Sequence, residues 1–179
     1  MKKTVMTIGL LSILTTSSFA SNFMSLSYSK SPNDVTFEDT NGNDMQFENA
    51  QYLQFRYGSQ HLPMERDASS EASAIGYYGD ISLGFSDKKN YRYDNTKEEL
   101  KYVSHMINVG VTYPLNNYFT LFGGVGVEGS YVVGDTVHSD YDAKFNMNGG
   151  LLIFSENYGL VIDYNSVRET IGFGLAFRL

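Results

Sequence analysis

The chain of 179 residues contains no cysteine. That excludes disulfides and a lipidated N-terminal cysteine, so no covalent staple holds the fold. Long apolar runs are also missing. A membrane-spanning helix needs about 20 consecutive apolar residues, and only residues 5–14 come near it. Histidine occurs three times, at 61, 105 and 138, which leaves few bases for catalysis and few metal ligands. Positive charge is scarce as well, with 13 Lys and Arg against 20 Asp and Glu, a net charge of −7. Nucleic-acid binding depends on phosphate neutralisation, so such a chain is a poor candidate for it. No phosphate loop, haem motif or metal-ligand spacing occurs, and no cofactor is expected. Neither a helical period nor an internal repeat stands out.

What is present begins with the N-terminus. Lys2 and Lys3 precede the apolar run 5–14, and Ser18-Phe19-Ala20 offers small residues at the positions a signal peptidase reads. The pattern predicts a secretory signal peptide over 1–20 and one domain over 21–179. Its removal takes the basic count from 13 to 11 against 20 acidic residues, a net charge of −9.

The last ten residues, TIGFGLAFRL, set the pattern for the rest. Ile171, Phe173, Leu175, Phe177 and Leu179 are large and apolar, whereas Thr170, Gly172, Gly174, Ala176 and Arg178 are small or polar. Side chains alternate across a strand, so one face is greasy and the other is not. A half-buried strand of a soluble sandwich would show this. So would a transmembrane barrel strand of about 9–11 residues, apolar toward lipid and polar toward the lumen. The same alternation predicts strands over 22–29, 45–57, 74–85, 101–113, 118–131, 140–154 and 158–164, eight with the last. A mean hydropathy of −0.26 suits a barrel, where only every second strand residue meets lipid. The 14 Tyr and 12 Phe suit aromatic girdles at the two membrane interfaces. In the second strand, alternation puts Phe47, Leu53, Phe55 and Tyr57 outward and Glu48, Ala50, Tyr52, Gln54 and Arg56 inward. Residues 58–73 fit least well, because they form a long turn on the side where turns are normally short.

The segment YPLNNYFTLFGGVGV over 113–127, with the signal peptide and the final strand, resembles the OmpA-like superfamily of small outer-membrane barrels. Size and long polar loops are most similar to its OmpX/Ail group of adhesion and serum-resistance barrels. One departure is that the chain ends in Leu179, with its last aromatic at Phe177. The resemblance implies an all-β, eight-stranded antiparallel up-and-down transmembrane β-barrel in the outer membrane. It also implies outer-membrane lipid and lipopolysaccharide as surroundings, with host-surface or matrix ligands as further partners. A monomer is expected.

Two groups of residues are candidate sites. Strand parity assigns Glu48, Arg56, Asp80, Glu128, Lys144, Asp163 and Arg178 to the lumen. An eight-stranded barrel is filled by its own side chains, and isolated buried charges are costly, so ion pairs are expected. If the fifth and sixth strands form a hairpin centred on Thr136, Glu128 faces Lys144. The result is a polar structural core rather than a gate. The second group lies in the loop 86–100, where Lys88, Lys89, Tyr91, Arg92 and Tyr93 combine cations with aromatics. Such a surface suits lipopolysaccharide headgroups or sulfated glycans, although Asp87, Asp94, Glu98 and Glu99 nearly cancel its charge. The first loop is acidic, with Asp34, Glu38, Asp39 and Asp44.

Small barrels also include lipid A-modifying enzymes. A hydrolytic site needs a base beside a hydroxyl nucleophile, and His138-Ser139-Asp140 places neighbours that do not face each other on a strand. A catalytic site is therefore not expected. Three readings remain: a surface-binding or adhesion barrel, a structural barrel or very narrow pore, and a lipid-modifying enzyme.

Overall fold

The computed structural model describes residues 21–38, 44–60, 75–87, 89–93, 96–134 and 141–179, with backbone alone for 21, 38, 44, 89–93 and 96–98. The expected signal peptide 1–20 lies outside these residues, as does most of the turn 58–73.

Eleven strands are described: β1 (Ser21–Lys30), β2 (Val35–Glu38), β3 (Asp44–Phe47), β4 (Gln51–Gln60), β5 (Gly76–Phe85), β6 (Lys89–Tyr93), β7 (Thr96–Pro114), β8 (Phe119–Val133), β9 (Asp142–Ser155), β10 (Tyr158–Asn165) and β11 (Thr170–Arg178). Of these, β1, β4, β5, β7, β8, β9, β10 and β11 form the barrel. Each pairs antiparallel with its neighbours, β5 joins β7, and β1 joins β11 to close the ring. This is the eight-stranded up-and-down barrel that the alternation called for. Closure removes every free edge from the barrel wall, which is how a sheet can satisfy its backbone in lipid.

The alternation carries through to burial. Leu26, Leu53, Ile81, Val109, Val125, Phe145, Leu160 and Phe173 point outward and are exposed. Ser25, Gln54, Asp80, Asn108, Asn146 and Asp163 point inward and are buried. A protein with this many exposed large apolar side chains has its surface matched to lipid.

The two ends differ. One holds Ser21, Leu179 and tight turns, and is called the terminal end here. Asn116 Oδ1 accepts hydrogen bonds from the amides of Tyr118 (2.8 Å) and Phe119 (2.9 Å) to shape the β7–β8 turn. Only Glu156 and Asn157 separate the paired residues Ser155 and Tyr158. The connection from Gln60 to Gly76 also leaves from this end, whereas the other, the loop end, carries the β2–β3 and β6–β7 hairpins and the four-residue β10–β11 turn.

Two expectations fail at the loop end. The strand expected over 45–57 is broken. Asn49 takes a left-handed backbone (φ 56°), a conformation that asparagine tolerates better than most residues. Before the break, β3 pairs with β2 as a separate hairpin. Phe47 therefore points into the molecule instead of outward and is 1% exposed. The second correction is the loop 86–100. It is a β-hairpin, because β7 runs on past the barrel and β6 pairs back along it from Lys89↔Leu100 to Tyr93↔Thr96.

Candidate functional site

The lumen is filled in layers. At the terminal end Phe23, Leu152, Phe154, Val161 and Ala176 pack with Tyr78 and Phe122. All come from barrel strands at inward positions. Gly110 and Gly124 leave room for the Tyr78 ring, where any side chain would collide with it. The Tyr78 hydroxyl then donates to Asn148 Oδ1 at 2.8 Å.

Above this layer sits a buried ionic group. Arg56 and Asp80 are direct cross-strand partners on β4 and β5. Arg56 Nη2 and Nε lie 3.2 and 3.3 Å from Asp80 Oδ2, and Nη1 lies 3.7 Å from Asp163 Oδ2. The guanidinium also stacks on Phe122, 3.9 Å from the ring centre. Both carboxylates have further donors. Asn108 and Asn148 donate to Asp80 at 2.6 and 3.0 Å, and the Ser27 hydroxyl donates to Asp163 at 2.6 Å. Asn146 carries the network upward, donating to Asn108 (2.9 Å) and Asn165 (3.3 Å). Buried charge is tolerable only when paired and hydrogen-bonded in this way.

A second ion pair lies nearer the loop end. Arg168 Nε is 2.8 Å from Glu128 Oε1, and Nη1 donates to the Ser82 hydroxyl at 2.6 Å. Its guanidinium lies over the Tyr52 ring at 4.0 Å. Beyond the pair, the β2–β3 hairpin folds across the mouth. Phe37, Met45 and Phe47 join Ala50, Tyr52, Leu100, Tyr102 and Val132 in an apolar cap.

Of the seven residues assigned to the lumen by parity, the structure brings Arg56, Asp80 and Asp163 together and puts Glu128 on Arg168. Three are corrected. Lys144 is opposite Glu128 in the β8–β9 register, but its Nζ pairs with Asp142 at 3.0 Å, with its side chain 58% exposed. It sits near the rim, where water competes for an ammonium. Glu48 is exposed at the break between β3 and β4, because parity holds only along an unbroken strand. Arg178 closes the terminal end instead, donating to the carbonyls of Asn117 (2.5 Å) and Glu156 (3.2 Å) and stacking on Phe154. Sequence reasoning missed Arg168. It lies in the four-residue connection from β10 to β11, and its long side chain reaches back into the barrel. Charge balance was the available signal, since without Arg168 the buried Glu128 has no cation.

The remaining candidates divide similarly. Lys88 lies outside the described residues, as do the side chains of Lys89, Tyr91, Arg92 and Tyr93. Histidines 61 and 138 also lie outside them. His105 is on the outer face, where Nε2 is 2.8 Å from the Tyr141 hydroxyl and the ring stands against Tyr131. Gly129 lies beneath the Tyr141 ring and makes that approach possible. This is an aromatic girdle at the loop-end interface. Among the described residues no group of three or more His, Cys, Asp and Glu is arranged to hold a metal.

No protein-family model and no curated protein matches the sequence. Solved structures do match. Ail, the attachment invasion locus protein of Yersinia pestis, in complex with the heparin analogue sucrose octasulfate, aligns with a TM-score of 0.64 at 14% identity. The match covers 89% of this chain and 99% of that one. The fold is that of Ail. A second crystal structure of Ail gives a TM-score of 0.55 at 14% identity, covering 89% of this chain and 97% of that one. Ail in a phospholipid bilayer nanodisc gives 0.52 at 13%, covering 89% and 99%. At this identity the likeness to Ail is one of fold, spanning the described barrel from end to end.

Proposed function

We propose that the protein is an outer-membrane barrel that acts as a surface-binding, adhesion-type module and performs no chemistry of its own. The supporting observation is the contrast between lumen and rim. The lumen is filled by paired charges and stopped by an apolar cluster at each end, which argues against a transport role. At the loop end, by contrast, β6 and β7 continue the wall beyond the barrel. Loops carried on a rigid scaffold are where recognition usually resides.

The termini then lie on the periplasmic side and the hairpins face outward from the cell. Ail is an attachment protein and was solved with a heparin analogue. The corresponding partner here is an anionic saccharide or lipopolysaccharide, met by the segment holding Lys88, Lys89, Tyr91, Arg92 and Tyr93. The test is to replace residues 87–98 with an Asn-Gly turn, retaining the buried Leu100. Shortening a loop changes closure entropy little, so the barrel should still fold and migrate anomalously on gels until boiled. Adherence to host cells or matrix should fall at matched surface levels, and the wild-type signal should weaken in high salt. Unchanged adherence, serum survival and ligand binding would leave a purely structural barrel.

A further inference from the structure

Between the cap and the Glu128–Arg168 pair the structure contains a cleft of about 190 Å³. It is bounded by the β1–β2 connection, β8, β9 and the β10–β11 turn. Its volume is that of about six water molecules, the space a single pyranose ring displaces. Phe37 and Tyr102 form an apolar wall, their ring centres 5.8 Å apart. The rest of the lining includes the polar groups of Glu128, Ser130 and Lys144.

Two polar atoms there are not used by the fold. Glu128 is 4% exposed, and both its hydrogen bonds, from Arg168 and the Tyr102 hydroxyl, fall on Oε1. Oε2 takes none among the described residues. Ser130 is 6% exposed and its hydroxyl has no protein partner among the described residues. Neither atom is among the fully buried ones that lack a partner, so both are open to the cleft and available to a group there that can donate and accept.

Charge decides what that is. An organic cation would meet Arg168, already 2.8 Å from the same carboxylate, and Lys144 at the rim. An anion would meet Glu128, Asp34 and Glu169. A neutral polyhydroxylated ring meets neither repulsion. Its hydroxyls both donate and accept, and its C–H face suits an aromatic wall. We infer that the cleft is a binding site for a neutral pyranose, the terminal ring of a glycan. It rests on the surface-binding reading but lies apart from the β6–β7 hairpin.

The experiment uses residues 21–179 refolded in lipid nanodiscs. Saturation-transfer NMR with glucose, galactose, mannose and N-acetylglucosamine should show binding of at least one. Ser130→Phe, which fills the cleft, should abolish the signal while the barrel stays heat-modifiable. Ser130→Ala should weaken affinity about tenfold, the loss of one good hydrogen bond. Lipopolysaccharide core oligosaccharide and a panel of neutral host-type glycans are then compared. Selective binding of either supports the cleft and identifies its source.

No transfer from any neutral sugar to the wild-type protein overturns the proposal. Equal binding by Ser130→Phe, or preferential binding of methylammonium, does the same. The hairpin-shortened variant separates the two ideas. Sugar binding retained after that change, with adherence intact, supports the cleft while removing the hairpin's role. Adherence lost on shortening, with no sugar bound by the wild type, removes the cleft and leaves the surface-binding reading in place.

Discussion

The lumen is stopped at both ends by apolar clusters, but they are built differently. The terminal-end cluster is made entirely of inward positions on barrel strands. The loop-end cap takes Phe37, Met45 and Phe47 from an inserted hairpin. The first is part of the wall and can be lost only with the barrel. The second is a separate two-stranded element resting on the barrel, and an isolated hairpin is marginally stable by itself. One end is therefore fixed by the same cooperative pairing that closes the sheet, whereas the other is held by contacts across a local boundary. Local opening free energies in a protein range from near zero to the global value, and these two clusters belong at opposite limits.

The largest expected effect tests what both ends protect. Arg56→Ala leaves Asp80 and Asp163 buried without their shared cation. Breaking a buried pair typically costs about 3–5 kcal/mol. Urea unfolding in lipid should show that loss, and Arg56→Met with Asp80→Asn and Asp163→Asn should recover most of it. Equal stability of the single and triple variants would mean that the group is not coupled.

The comparison itself is tested by two phenylalanines. Phe154→Ala and Phe47→Ala remove the same side chain from the two clusters, a change that costs about 3–5 kcal/mol in a well-packed core. For Phe154 the cost should appear in global unfolding. For Phe47 it should appear as faster amide exchange confined to β2 and β3, with the unfolding midpoint much less affected. Equal shifts in the midpoint would show that the cap belongs to the barrel's cooperative unit. Neither variant should conduct in planar bilayers, because each leaves the other end closed. A smaller effect, common to both halves, is expected on the lipid face. Val109→Arg should cost roughly 2–4 kcal/mol if Val109 lies near mid-membrane.

The difference between the ends also explains what the sequence revealed. Alternation depends on nothing beyond a continuous strand, so the barrel, its strand count and its lipid face follow from residues such as Ile171, Phe173 and Leu175. Parity also placed Arg56 and Asp80 on one face, and their register makes them partners. It failed where the chain stops obeying a period of two. Asn49 breaks the strand, so Glu48 turns to solvent and Phe47 turns inward. Parity carries no information about depth either. Lys144 shares a face with Asn146 and Asn148 but sits at the rim, and Arg178 shares one with Thr170 but lies at the terminal end. Arg168 was hidden for a third reason. A turn residue belongs to neither face, and only the length of its side chain brings it to Glu128.

The smallest expected effect separates the two cations near Glu128. Lys144 is its backbone neighbour across β8 and β9, yet Arg168 is its partner at 2.8 Å. Lys144 is instead bound to Asp142 where both side chains are more than a third exposed. Exposed pairs contribute about 0–1 kcal/mol, because water screens the attraction and holding two flexible side chains costs entropy. Lys144→Ala should therefore leave the urea midpoint nearly unchanged. Arg168→Ala should lower it clearly, because the Glu128 carboxylate stays buried with no cation beside it and Ser82 loses its donor. Glu128→Gln should soften the Arg168→Ala loss by removing the orphaned charge, and it should do nothing for Lys144→Ala. If Lys144→Ala proves as damaging as Arg168→Ala, the two cations share Glu128, and the rim belongs energetically to the lumen.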